Sequence, residues 1–172
     1  MSECWQPRAI QSSDMDGLVE AIHIAPTKGA PVEARQRIGV GAGVGLDGDR
    51  NRRPPGVQVS GHAGGDVTLI EAEALEDASA QIGIPLQPGE TRRNVTTRHV
   101  RLNELVGRRF WLGPVLCEGA ELAEPCQYLV NLIGKPVLRP LVHRGGLRAE
   151  ILSDGVLAVG DAIRVAGATD AG

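Results

Sequence analysis

The chain has 172 residues, of which 42% are hydrophobic and 23% charged, and its formal net charge at pH 7 is −3. This length and composition are those of a single globular domain that buries a hydrophobic core. The slightly acidic balance argues against a general nucleic-acid binder. No apolar run approaches the roughly 18 residues of a membrane span, and the first residues carry no secretion signal. Three cysteines at loose spacing argue against a disulfide scaffold, so we expect a cytoplasmic protein that contacts neither nucleic acid nor membrane.

Glycine and proline divide the chain into short segments, with 23 and 11 residues respectively, which is typical of many short strands and turns. Leu18, Ile22 and Ile24 share one face of an alternating segment and predict the first strand. Residues 26–36 predict a loop, and residues 37–42 a short strand.

Residues 45–65 are rich in Gly, Asp, Arg and Pro and have no apolar period, so they predict a long polar loop of the kind that is functional or mobile. Residues 67–70 predict a buried strand. Residues 71–82 predict a helix, because apolar residues recur there at helical spacing, and Gly83 with Pro85 ends it.

The second half predicts mostly strands. A hairpin around Gly113-Pro114 and a short helix opened by Pro125 are its clearest local signals. The predicted strands cover residues 94–97, 109–112, 115–122, 147–152 and 162–165, with a helical turn at 102–106.

Strands and helices do not alternate, which disfavours a doubly wound sheet. We predict a β-rich α+β domain, a closed or partly closed barrel with a few short peripheral helices. This domain covers residues 17–166, between an N-terminal tail (1–16) and a C-terminal tail (167–172).

The segment Gly43–Gly48 matches the pattern G-x-G-x-x-G, but the residues that follow, DRNRRPP, cannot open the helix that a dinucleotide site needs. What remains is a glycine-rich acidic turn followed by Arg50, Arg52 and Arg53. It is either a tight structural turn or one wall of an anionic pocket.

Cys126 follows Pro125 at the start of the short helix, where free backbone N–H groups favour a thiolate, the form that acts as nucleophile and metal ligand. The alternative is a small buried core residue, which is common for a free cysteine. Cys117 lies within a predicted strand and is best interpreted as core. Cys4 falls in the predicted tail.

Two further segments carry arginine. In His143–Arg148 (HRGGLR), two glycines would allow consecutive N–H groups to face one anion, flanked by guanidinium forks. The alternative is a glycine turn with surface arginines. Arg92-Arg93-Asn94 is a basic cluster at the edge of a strand, and only the tertiary structure decides whether these segments converge.

In this order, the motifs together resemble the MOSC domain, the C-terminal domain of molybdenum-cofactor sulfurases. The resemblance covers residues 17–165 and rests on seven short segments: GLDGDR (45–50), VTLIE (67–71), RRNVTTR (92–98), LNELVG (102–107), EPC (124–126), HRGGLRA (143–149) and VGD (159–161).

The resemblance implies a MOSC-type β-barrel that binds the molybdenum cofactor, a molybdenum–pterin compound with a phosphate. It implies that Cys126 is the catalytic residue, which ligates molybdenum or carries sulfur as a persulfide. Some relatives reduce N-hydroxylated small molecules. The implied cofactor-binding residues are Arg50, Arg93, Asn94, His143, Arg144, Gly145, Gly146 and Arg148.

His99 departs from the family, which usually has glycine at this position. The pyridoxal-phosphate desulfurase domain of the full sulfurases is absent, so no pyridoxal phosphate is expected on this chain. Sulfur or electrons must then come from a partner, a cysteine desulfurase or an electron-donor protein. Three hypotheses stay open: a molybdenum enzyme, a non-enzymatic persulfide carrier, and an anion-binding barrel in which Cys126 is structural.

Overall fold

The computed structural model describes residues 17–54 and 65–167. This part of the chain contains two α-helices, α1 (Ala72–Ile82) and α2 (Gln127–Ile133), and a 3-10 helix (Leu102–Leu105). Its strands are β1 (Gly17–Ile24), β2 (Glu33–Arg35), β3 (Arg37–Gly41), β4 (Gly45–Leu46), β5 (Val67–Glu71), β6 (Val95–Arg98), β7 (Arg109–Leu112), β8 (Val115–Leu122), β9 (Leu147–Ile151), β10 (Gly155–Ala158) and β11 (Ala162–Val165).

Seven strands form a closed barrel in the order β11-β7-β8-β9-β5-β6-β1, and the pairing of β1 with β11 closes it. Among the described strand pairs of this sheet, β5–β6 is parallel and the others are antiparallel. β2 extends the sheet beyond β1, and β10, β3 and β4 form a small second sheet. The prediction of a β-rich barrel with a few short helices is confirmed.

The barrel encloses the main hydrophobic core. Each of its strands contributes at least one buried side chain to this cluster: Val19, Leu69, Val95, Phe110, Cys117, Leu147 and Ile163. These residues are at most 1% exposed. Burying a large apolar side chain stabilises a fold by roughly 1.5–3 kcal/mol, so this interior is the principal source of stability.

A second apolar cluster lies outside the barrel, where both helices pack on β5. Leu69 of β5 faces the barrel interior, whereas Ile70 packs with Leu75 of α1 and Leu129 of α2. Because β5 is buried on both faces, its sequence VTLI reads as a nearly continuous apolar run. This packing holds α2, and with it the segment that begins at Cys126, against the barrel wall.

Several predicted boundaries differ from the structure. β10 and β2 were not predicted, and they form by pairing with the distant β3 and the neighbouring β1. The predicted loop over residues 45–65 contains β4, and its residues 55–64 lie outside the described residues. The predicted tail over residues 1–16 and residues 168–172 of the other tail also lie outside them. No described helix has the length and apolarity needed to cross a membrane.

Candidate functional site

Cys126 is the N-cap residue of α2 and its side chain is exposed. Its backbone is extended, with φ −140° and ψ 165°, and its side chain makes no capping hydrogen bond. The thiol is therefore accessible for metal ligation or nucleophilic attack. The hypothesis that Cys126 is a core residue is wrong, because core packing requires burial.

Arg93 connects the segment before Cys126 to the glycine pair that follows His143–Arg144. Its Nε donates to the carbonyl oxygen of Gly145 at 2.7 Å, and its Nη2 donates to that of Ala123 at 2.9 Å. Burial, followed by the positive charge of Arg148, lowers the pKa of Arg93 to about 10, whereas Cys126 acts in the opposite direction. Arg93 thus stays charged at neutral pH and lies within electrostatic reach of the thiol.

Gly145 and Gly146 are held in close contact with neighbouring backbone. A Cβ atom on Gly146, whose φ is 120°, would lie 2.1 Å from the carbonyl oxygen of Leu69. A Cβ on Gly145 would lie 2.3 Å from that of Ala123. Both positions therefore require glycine for packing, whether or not their N–H groups also face an anion.

Asn94 is 7% exposed, and its amide joins three parts of the barrel. Its Oδ1 accepts hydrogen bonds from the backbone N–H and the hydroxyl of Thr68, each at 3.1 Å. Its Nδ2 donates to the carbonyl oxygen of His23 at 3.2 Å. Such contacts give Asn94 a structural role, and its predicted contact with a cofactor stays a prediction.

His143, Arg144 and Arg148 are the remaining predicted site residues of the HRGGLR segment. The exposed imidazole of His143 lies 3.4 Å from Glu124, and Arg148 lies 3.7 Å from Glu121. Arg144 pairs with Asp77 of α1 at 2.6 Å. Arg148 influences Arg93 beside the thiol, whereas Arg144 turns toward α1.

A second basic group lies near α2. Arg92 donates through Nη1 to the carbonyl oxygen of Ala30, while its Nη2 is buried without a partner among the described residues. Burial, followed by the positive charge of Arg50, lowers the pKa of Arg92, whereas Tyr128 and Asp49 act in the opposite direction.

Lys28 and Arg92 therefore lie near Tyr128, two residues after Cys126 in the chain, and Arg50 lies near Arg92. Lys28 Nζ lies 5.6 Å from the ring centroid of Tyr128, a cation–π contact. The exposed guanidinium of Arg50 has no hydrogen bond or ion pair within the described ranges. We call Arg50, Arg92 and Lys28 the basic wall.

Polar atoms without partners accompany the basic wall. Besides Arg92 Nη2, the buried Nδ1 of His23 and Oγ1 of Thr91 have no hydrogen-bond partner in the described part of the chain. Arg92 also has a positive φ of 67°, which is uncommon for an arginine. Unsatisfied buried groups and backbone strain of this kind concentrate at ligand sites.

Sequence reasoning selected Arg50 but did not select Arg92, Lys28 or Tyr128. The cluster Arg92-Arg93-Asn94 was recognised, yet nothing in the sequence distinguishes Arg92, which lies at the basic wall, from Arg93, which bonds to carbonyls. Within residues 17–54 and 65–167, no three His, Cys, Asp or Glu side chains form a group that could hold a metal ion. Any metal here would therefore have fewer than three such ligands from the described part of the chain.

Comparisons with solved structures agree on the architecture. The YUAD protein from Bacillus subtilis superposes with a TM-score of 0.74 at 18% identity, covering 88% of this chain and 96% of that one. YiiM from Geobacillus stearothermophilus superposes with a TM-score of 0.62 at 16% identity, covering 88% of this chain and 75% of that one. YiiM from Escherichia coli superposes with a TM-score of 0.61 at 12% identity, covering 87% of this chain and 70% of that one. Identities this low show a shared fold alone.

The family comparison is more specific. A search of curated proteins gave no significant match. The MOSC domain model, however, matches residues 56–164, which is more than half of the chain and includes Arg93 and Cys126. With the motifs in the family's order and the barrel in place, the chain belongs to the MOSC domain family.

Proposed function

We propose that this MOSC protein binds the molybdenum cofactor, with Cys126 as the ligand of the metal, and reduces N-hydroxylated small molecules in the cytoplasm. The observation that carries the proposal is an exposed thiol within electrostatic reach of Arg93 and two residues from Tyr128, which lies beside Lys28 and Arg92 of the basic wall. A soft thiolate suits a redox-active metal, and guanidinium groups suit a phosphate.

The residues present fit such a cofactor in three ways. Cys126 offers an accessible sulfur. Arg50 and Arg92 offer N–H donors that no described residue uses, and these would bind the phosphate. Thr91 and His23 offer unpartnered polar atoms for the ring system. When bound, the cofactor would supply two-electron redox chemistry, with electrons from a separate donor protein.

The other residues act by positioning. Arg93 ties Ala123 to Gly145 and so fixes the approach to Cys126. Its positive charge lies within electrostatic reach of Cys126 and would attract an anionic ligand there. Lys28 over Tyr128 adds positive charge at the rim, which would draw an anionic cofactor toward the thiol.

The test is molybdenum per chain, measured by elemental analysis of protein from cells that make the cofactor. We expect near-stoichiometric metal in the wild type and its loss in Cys126→Ser. Cys117→Ala is the matched control and should keep its metal, because Cys117 is fully buried. Arg50→Ala combined with Arg92→Ala should reduce retention at least tenfold, since each charged hydrogen bond is worth about 1.5–3 kcal/mol.

One outcome contradicts the role of Cys126 directly: Cys126→Ser that retains molybdenum and reduces hydroxylaminopurine at the wild-type rate. Absence of metal from wild type purified from competent cells would reject the molybdenum enzyme and leave the sulfur carrier.

The second candidate is a persulfide carrier, favoured by the same exposure of Cys126. In that reaction the Cys126 thiolate attacks the outer sulfur of a cysteine desulfurase persulfide, and the desulfurase cysteine leaves as a thiolate. After incubation with a desulfurase and cysteine, mass spectrometry should find one added sulfur atom on Cys126 and none on Cys126→Ser. An unmodified Cys126, under conditions that load a known carrier, would reject this function.

A further inference from the structure

We propose a second ligand site, separate from Cys126, that binds a small zwitterion: a molecule with a carboxylate, an ammonium group and an apolar body. It is the cavity of about 1070 Å³ that lies where β6 ends and the chain leads into the 3-10 helix. Cys126, Arg93 and the basic wall do not line it. Its volume suits an organic ligand, since such pockets span roughly 300–1,000 Å³.

Four of the charged side chains that line this cavity do not pair with one another. Arg101, Arg108, Glu71 and Glu104 line it, and within the described ranges no hydrogen bond or ion pair joins the side chain of one of them to that of another. Arg101 is nevertheless close enough to Glu71 to influence its titration: burial raises the pKa of Glu71, and the charge of Arg101 acts in the opposite direction. Opposite charges that line one cavity without pairing can bind a ligand that carries both.

The guanidinium groups of Arg101 and Arg108 define the anionic end of the ligand. Both side chains are exposed, and neither guanidinium has a hydrogen-bond acceptor in the described part of the chain. Two such forks can bind one carboxylate through several parallel N–H bonds. Arg144 also lines the cavity, but it is already paired with Asp77.

The carboxylates of Glu71 and Glu73 define the cationic end. Glu71 accepts the backbone N–H of Leu102 through Oε2 at 3.3 Å, and Glu73 accepts that of His99 through Oε1 at 2.9 Å. These bonds fix both carboxylates at the start of α1. An ammonium group in the cavity would lie between two negative charges.

Apolar side chains complete the cavity and set the character of the ligand's body. Leu105 and Ile163 are 2% and 1% exposed and form its floor, and Val100 and Val165 line its sides. An apolar body between the charged ends would cover this floor.

The rim of the cavity is strained. His99 has a positive φ of 62°, which is uncommon for residues other than glycine. A residue held in an unfavourable conformation beside a cavity is typical of a binding site.

The probe is L-phenylalanine. Two half-ligands, each with only one of its charged groups, serve as controls: 3-phenylpropionate lacks the amine, and phenethylamine lacks the carboxylate. Binding is measured by calorimetry on the metal-free protein and located by chemical-shift changes at Leu105 and Ile163. We expect a dissociation constant of about 1 mM or tighter for phenylalanine, and at least tenfold weaker binding of each half.

Variants separate this site from other surfaces. Arg101→Ala combined with Arg108→Ala should weaken phenylalanine binding at least tenfold, and Glu73→Gln should weaken it severalfold. Arg139→Ala removes an exposed arginine elsewhere and should bind normally, as should Cys126→Ser. The proposal is overturned if phenylalanine does not bind by about 20 mM, if either half binds equally well, or if the double arginine variant binds normally.

Discussion

Cys117 lies on β8 with its side chain 0% exposed, whereas Cys126 is exposed. Burial, with a contribution from the negative charge of Asp66, raises the pKa of the Cys117 thiol to about 12. The thiol is therefore protonated at every physiological pH and inaccessible to reagents. The two cysteines have the same chemistry, and their surroundings alone place one in the core and the other at the surface.

The raised pKa of Cys117 predicts a loss of stability in alkali. Above about pH 9 the unfolded chain releases the Cys117 proton, while the folded chain retains it up to about pH 12, so folding is disfavoured as pH rises. Between pH 9 and pH 11, the wild type should lose about 1–3 kcal/mol more unfolding free energy than Cys117→Ala. Urea denaturation at each pH measures this difference, and parallel curves for the two proteins would contradict it.

At the scale of elements, the loop before β9 shows how packing and site geometry depend on each other. Gly146 touches the backbone of β5, and Gly145 touches the segment that leads to Cys126. Arg93 then bonds to the carbonyl oxygen of Gly145. The entry to α2 is thus fixed by backbone contacts that only glycine permits.

Gly146→Ala should destabilise the protein by about 3 kcal/mol or more, because its Cβ would lie 2.1 Å from a backbone oxygen in a conformation with φ 120°. Gly107→Ala is the control. It also has a positive φ, 74°, but no atom lies within 4 Å of its Cβ, so about 1–2 kcal/mol is expected. Equal losses in thermal or urea unfolding would show that close packing at Gly146 is unimportant.

The elements that sequence predicted well carry their signals locally. The hairpin of β7 and β8 turns at Gly113-Pro114, and the end of α1 coincides with Gly83, whose φ is 70°. β10 was missed because of its four residues only Leu157 is fully buried, and its partner β3 lies far away in the sequence. Likewise, no local pattern shows that Arg93 bonds to Gly145, 52 residues away.

At the scale of the whole molecule, β5 joins the two hydrophobic clusters. Leu69 belongs to the barrel interior, and the adjacent Ile70 belongs to the cluster under the helices. A strand cannot leave one cluster without disturbing the other. The barrel and its helices should therefore unfold together.

Leu75→Ala tests this cooperativity. Leu75 lies in α1 and is 3% exposed, so its truncation should cost about 2–5 kcal/mol. The measurement uses a variant that lacks Cys4 and Cys126, so that Cys117 inside the barrel is the one cysteine that can be labelled. Leu75→Ala should lower the urea midpoint by the same amount whether unfolding is followed by circular dichroism or by labelling of Cys117. A shift in the helical signal alone would show that the two clusters unfold independently.

The barrel as a class of fold was predictable from composition and turn spacing, but its closure was not. β1 begins at Gly17, which pairs with Ile163 of β11, and no periodicity in either strand specifies the other. The candidate site was likewise predictable only in part. The position of Cys126 at the start of a helix followed from Pro125, but its exposure did not, because a buried cysteine remained an alternative. The approach of Lys28 and Arg92 to Tyr128 also depends on the tertiary fold.

The pairing of β1 with β11 also has a consequence during synthesis. β1 leaves the ribosome first among the described strands, yet one of its partners is the last of them to be made. Until β11 emerges, the nascent sheet has two open edges, at β7 and at the start of β1, which are able to pair with other chains. Such a distant closure also slows folding, because its loop entropy is lost before the contact forms. We therefore expect this protein to depend on chaperones late in translation rather than early.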